Sequence, residues 1–225
     1  MANKRFWFVL LIAILVLGSA FAQSAFRLSV GVGGFADLGM GGGYEVVDGG
    51  QSTKVEAYMP GFAGGAFALF DATFVELSLG FSGGLGRFLT GSDLERTDFS
   101  VMDLNISLLG KYPFKITESF SIFPLLGIDY QIMLSVKDED GNDFKDPNGK
   151  DLSGDFSALW FKLGAGLDYS FTEQIYLRFS ALYGIRLPNQ IEKDMVDFAE
   201  QTPNVSANML LGQGLTAKLA VGYRF

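Results

Sequence analysis

The chain contains neither cysteine nor histidine. Without cysteine no disulfide can staple it, so stability must come from backbone pairing and packing. Without histidine it lacks the side chain best poised to move protons at neutral pH. No Ser–His or Cys–His pair can form, and no His-ligated metal site. An enzyme is therefore not expected, and neither is a catalytic residue, a metal site or a cofactor. Positive charge is also scarce, with 17 Lys and Arg against 25 Asp and Glu. That balance excludes the basic stripe of a nucleic-acid surface.

Long apolar runs are missing too, with one exception. Phe6 to Leu17 is unbroken, follows Lys4 and Arg5, and ends in Gly18-Ser19-Ala20-Phe21-Ala22. A positive start, a short apolar run and an A-x-A close predict a signal peptide over residues 1–22, cut before Gln23. As a membrane anchor the run is short, because a helical span needs about 20 residues. Residues 23–225 are then one domain with 15 basic and 25 acidic residues, and they hold no helical span.

What is abundant is glycine, 29 residues, together with 48% hydrophobic and 14% aromatic side chains. Glycine averages about 7% of protein sequence, so this mixture favours strands and tight turns. The periodicity agrees. From Leu215 to Phe225 the odd positions are Leu, Ala, Leu, Val, Tyr and Phe, and the even ones Thr, Lys, Ala, Gly and Arg. Successive side chains in a strand point to opposite faces, so one face is wholly apolar. The same alternation recurs over 26–34, 75–85, 102–112, 120–134, 157–171 and 175–187. A weaker stretch at 61–71 completes about eight strands.

Each run is near the 9–11 residues with which a tilted strand crosses a bilayer. An open sheet edge cannot be satisfied in hydrocarbon, so such strands must close on themselves. Connection lengths alternate as well: 35–58, 86–98, 135–155 and 188–213 are long, whereas 71–73, 113–119 and 172–174 are short. Long loops at one end and short turns at the other describe an all-β, closed, antiparallel up-and-down transmembrane barrel. Leu163, Leu177, Phe179 and Leu219 are expected to face lipid.

From Ala25 to Phe225 the chain resembles the small outer-membrane barrels of the OmpA, OmpX and OmpW type. Its most specific element is the last strand, where Val221, Tyr223 and Phe225 resemble the terminal signal read by the barrel-assembly machinery. The resemblance implies a bacterial outer-membrane location, with that machinery and outer-membrane lipid as partners. The loops' exterior partner has no signature.

The opposite face of the strands carries Glu76, Asp103, Lys111, Asp129, Lys162, Asp168, Arg178, Arg186 and Lys218. These charges either line a narrow solute path or pair into a plug. An eight-stranded interior has room for little but side chains, and unpaired charges there are costly. The plug is the reading adopted: a structural or surface-interaction barrel, the alternative being a narrow channel or transporter for small, including hydrophobic, solutes.

Three local motifs carry less. Lys137 to Asp143 suggests a calcium loop, but counting from Asp138 the glycine and glutamate positions of an EF-hand hold Asp143 and Gly149. The glycine clusters at 31–34 and 41–43 do not join a strand to a helix as a nucleotide loop does. Ile191, Met195 and Phe198 sit at helical spacing within 191–201. They predict either a short amphipathic helix over the barrel mouth or an extended loop with a few buried anchors.

Overall fold

The computed structural model describes residues 27–48, 50–90, 95–145, 149–202 and 205–225; the expected signal peptide lies outside them. Eight long strands form the wall: β1 (Leu28–Gly39), β3 (Gln51–Ala72), β4 (Val75–Thr90), β5 (Glu95–Lys111), β7 (Phe120–Lys137), β8 (Ala158–Ser170), β9 (Ile175–Arg186) and β11 (Gly212–Arg224). Each pairs antiparallel with the next, and β1 pairs with both β3 and β11, which closes the sheet. The closing seam runs from Ser29↔Arg224 to Gly39↔Gly214. Among described residues the wall therefore has no edge strand, as a sheet in hydrocarbon requires.

The predicted faces are the observed ones. Leu163, Phe179 and Leu219 are exposed, while Lys162, Arg178 and Lys218, one residue away on the same strands, are buried. The inward face explains much of the glycine. A Cβ on Gly222 would lie 2.2 Å from the Tyr176 ring, and one on Gly86 would lie 1.9 Å from Phe99. These large inward side chains fit the bore because their cross-strand partner on the neighbouring strand is a glycine.

Two expected loops are mostly strand. The stretch 35–58 holds the end of β1, the short β2 (Gly43–Asp48) and the start of β3, with β2 and β3 paired as a hairpin. In the stretch 86–98, β4 runs on to Thr90 and β5 already starts at Glu95, both past the expected ends. The reason is physical. Apolar alternation reports contact with lipid, and a strand that rises into water keeps its hydrogen bonds without needing the pattern.

The wall is consequently uneven. β3, β4, β5 and β7 have 22, 16, 17 and 18 residues, against 12, 13, 12 and 13 in β1, β8, β9 and β11. The tall side projects at the long-loop end. At its border β10 (Val205–Leu210) pairs with β2, and β10 and β2 continue the β11–β1 seam beyond a bend. Gly41, Gly42 and Gly43 make that bend at φ +79°, +140° and +121°. Only glycine adopts such angles readily. A two-residue strand, β6 (Phe114–Lys115), pairs with β7 at the short-turn end.

Candidate functional site

Glu76, Asp103, Asp129, Lys162, Asp168, Arg178, Arg186 and Lys218 are buried, as is the side chain of Lys111, and they fall into layers. At the short-turn end Arg178 is the hub. It reaches Asp168 through Nε and Nη2 (2.7 and 2.8 Å), Glu76 through Nη1 (2.6 Å) and Asp71 through Nη2 (2.5 Å). Lys111 donates to Asp71, and Arg224 reaches Asp168 at 3.2 Å and Ser170 at 2.5 Å. Three cations thus meet three carboxylates. The Arg178 guanidinium also lies over the Phe123 and Tyr176 rings, and Tyr176 shares a 3.0 Å hydroxyl hydrogen bond with Ser29. Below this floor a recess of about 520 Å³ opens to the short-turn end.

The next layer inward is apolar. Leu109, Phe123, Leu125 and Leu182 form one buried cluster, and Phe67, Leu69 and Ala220 form another with Phe35 against it. Above them lies a second polar layer. Lys162 sits 3.8 Å from both Asp37 and Asp129 and donates to Thr216 (2.6 Å). Thr216 in turn donates to Asp37. Asp103 accepts from Ser82 (2.7 Å) and Asn105 (2.5 Å), and Lys218 donates to Ser78 (3.2 Å). Two spaces of about 10 Å³ adjoin Asp129, each about the size of one water, and one of them is also lined by Ser107.

At the long-loop end the inward face changes character. Trp160 donates to Gln131 (3.1 Å), and beyond it Phe99, Val101, Met133, Val136 and Phe156 form a buried core. Phe156 belongs to a 3-10 turn at Ser153–Phe156, and Phe144, Leu152 and Ile191 pack around it. Over this core lies helix α1 (Gln190–Glu200). Of the two expectations for that segment, the helix is correct, with a different buried face. Glu192 and Val196 point inward and Ile191 is half-buried, while Met195 and Phe198 are 47% and 70% exposed.

Two interactions set that rotation. Asn189 caps the helix by accepting from the Glu192 N–H (2.9 Å), and Glu192 accepts the Asn189 N–H in return (2.9 Å). The same carboxylate takes both Arg186 terminal nitrogens, at 2.6 and 3.1 Å. Turning the helix to bury Met195 or Phe198 would strand the Arg186 guanidinium without its carboxylate, and breaking a buried pair from one side is costly. Glycine makes room here as well, since a Cβ on Gly42 would lie 2.6 Å from Arg186 Nη2.

Sequence reasoning found nine inward charges and missed Asp37, Asp71 and Glu192. Asp37 falls in the part of β1 beyond residue 34, and Asp71 stands where the weak 61–71 stretch meets the tight 71–73 turn. Both share inward parity with their strands: carrying the 26–34 alternation on by three residues reaches Asp37, and following the parity of 61–71 to its last residue reaches Asp71. Glu192 stands three residues after Asn189, the spacing of a capping box, but that spacing marks a helix start and does not reveal the pairing with Arg186 that turns it inward.

Residues 8–225 match the family described as outer membrane protein beta-barrel domain. The chain belongs to that family. Among solved structures it is similar to the outer membrane protein OprG from Pseudomonas aeruginosa, with a TM-score of 0.47 and 12% identity over 89% of this chain and 96% of that one. Neisserial surface protein A gives 0.42 and 12% over 88% and 95%. Ail of Yersinia pestis gives 0.37 and 16% over 90% and 100%. No curated protein matches the chain. In this family of outer-membrane barrels the short turns face the periplasm and the long loops the exterior.

Charge divides along that axis. In residues 23–225 the four exterior segments (40–60, 87–98, 135–157 and 187–211) hold 17 acidic and 7 basic residues. The barrel and its periplasmic turns hold 8 of each. The barrel is neutral, and the whole net charge lies in the exterior crown.

Proposed function

We propose that this barrel is closed to hydrophilic solutes and presents its crown at the cell exterior, in a structural or surface-interaction role and without catalysis. One observation carries the reading. The lumen is filled by alternating layers, ionic, apolar, ionic and apolar, and the outermost is covered by a capped helix tied to the wall through Arg186 and Glu192. Ions crossing it would have to dissolve two apolar layers and break two buried networks. Single-channel recording in planar bilayers tests this. Absence of conductance steps is expected, and a stable, large, ion-selective conductance would overturn the closed lumen.

A second reading rests on the wall itself. The β1–β3 pairing ends at Leu38↔Phe62, and β2–β3 pairing starts only at Gly43↔Glu56. Opposite, the β3–β4 register shifts between Tyr58 and Phe62, where Pro60 brings no N–H to the ladder. A recess of about 510 Å³ sits there, lined by inward Gly39, Gly61 and Gly86 and by outward Phe62 and Leu85. Such a gap suits a small apolar solute moving between crown and lipid. Liposome uptake of a short alkane or fatty acid measures it, with Gly39→Trp expected to stop the flux.

A further inference from the structure

Helix α1 is amphipathic in an unusual sense, because its solvent face is itself divided. At about 100° per residue, Phe198 and Met195 fall on one side of the exposed arc, and Asp194, Asp197 and Glu200 on the other with Lys193 among them, a net charge of −2 on that side. The face is also rigid. Its inner side is fixed by Val196, by the Arg186–Glu192 pair and by the Asn189 cap, so Met195 and Phe198 cannot turn inward without breaking a buried ion pair. A phenylalanine that exposed on a capped helix is an unpartnered apolar anchor. What can cover it is set by charge. The four long-loop segments together carry 17 acids against 7 bases, and the helix itself four against one, so an anionic partner or anionic lipid surface is repelled.

We propose that this face of α1 binds a cationic amphipathic peptide segment, whose apolar side covers Met195 and Phe198 while its basic side pairs with Asp194, Asp197 and Glu200. The inference rests on the surface-interaction reading and names the chemistry of its partner. Binding of this kind has a recognisable signature. Steering by the crown makes association fast and salt-dependent, while the apolar pair determines how long the complex lasts.

The test uses the full barrel refolded in phosphatidylcholine nanodiscs and a fluorescent 18-residue peptide of alternating Leu and Lys blocks. Empty discs give the background, and oligolysine of equal charge is the comparison. Saturable binding above background is expected for the Leu/Lys peptide, and binding at least about tenfold weaker for oligolysine. Met195→Ser with Phe198→Ser should weaken peptide binding about tenfold or more. Asp194→Asn, Asp197→Asn and Glu200→Gln together should weaken it similarly and flatten its salt dependence. All five side chains are exposed, so the variants should keep the heat-modifiable gel mobility of the folded barrel.

Equal affinity for oligolysine and the Leu/Lys peptide would overturn the proposal, as would unchanged binding in the Met195/Phe198 variant. So would quenching of a Phe198→Trp variant by brominated lipid without peptide, which would place the face in the membrane. A shift from dimer to monomer on mutating Met195 and Phe198 would assign the face to a second copy and equally overturn it. None of these outcomes bears on conductance, so the closed-lumen reading stands or falls separately.

Discussion

Replacing Arg178 by alanine removes the centre of the periplasmic ionic layer. The guanidinium holds three carboxylates, with contacts at 2.5 to 2.8 Å, and is 3% exposed. At an effective dielectric of about 20, each ion pair of this type is worth about 4 kcal/mol before desolvation. Losing the cation leaves Asp71, Glu76 and Asp168 facing only Lys111 and Arg224, one positive charge short. Breaking a buried pair from one side typically costs about 3–5 kcal/mol. The recess below admits water to Asp71 and Asp168 and puts the expectation near the lower end, at about 3 kcal/mol. The comparison is Lys145→Ala. Lys145 pairs with Asp143 at 3.5 Å with both side chains about half exposed, and a surface pair of that kind is worth about 0–1 kcal/mol. Urea titration of both variants in phosphocholine micelles, followed by tryptophan fluorescence and gel mobility, gives the two costs. Arg178→Met combined with Glu76→Gln should recover part of the loss by removing an unpaired charge. If Arg178→Ala costs no more than Lys145→Ala, the network is solvated and the argument for an ionic floor fails.

Three further outcomes follow from the same geometry. Leu219→Arg places a charge on the lipid face and should cost about 2–4 kcal/mol near the midplane, whereas the inward neighbour Lys218, which donates to Ser78 and lies over the Phe67 ring, should tolerate Gln for distinctly less; equal urea midpoints would contradict the face assignment. Glu192→Ala removes both the α1 cap and the partner of buried Arg186, so trypsin should cut at Lys193 much faster than in the parent protein, and an unchanged digestion rate would show that the helix is held by other contacts. Asp138 accepts the backbone N–H groups of Asn142 (2.8 Å) and Asp140 (3.0 Å), and these bonds, that of Asn142 foremost, hold its carboxyl below the usual range. A depressed carboxylate stabilises the turn above the unfolded value, about 3.9, and loses that contribution as pH falls through the folded value. The Asn142 amide resonance should therefore stay fixed down to about pH 4 and move only below it.

The barrel was legible because lipid imposes a strict rule on every second residue. Met102, Leu104, Ile106 and Leu108 against Asp103, Asn105 and Ser107 admit one reading, and the structure keeps it. The crown obeys no such rule. Phe99 and Val101 continue β5 with inward parity but replace charge by apolar surface, so the sign that the strand goes on looks like the sign that it has ended. The helix shows the opposite failure. Its apolar spacing was visible, yet which side faces inward is decided by Arg186, a residue outside the helix whose pairing with Glu192 no local pattern marks. Local pattern finds surfaces that face a uniform medium; specific pairs have to be seen.

The partners of Arg178 come from far apart in the chain. Asp71 ends β3 and Glu76 opens β4, while Asp168 and Arg178 itself belong to the β8–β9 hairpin. The periplasmic layer is therefore balanced only when the early and late hairpins stand at the same height in one ring. A sheet that closed two residues out of register would keep every lipid-facing side chain outward, and hydrophobic matching alone would not detect the error. It would, however, carry Glu76 and Asp71 away from Arg178 and leave that buried guanidinium with Asp168 alone of its three carboxylates. The ionic floor thus acts as a proofreading mark for assembly, penalising the one class of misfolding that the bilayer itself cannot distinguish from the native barrel.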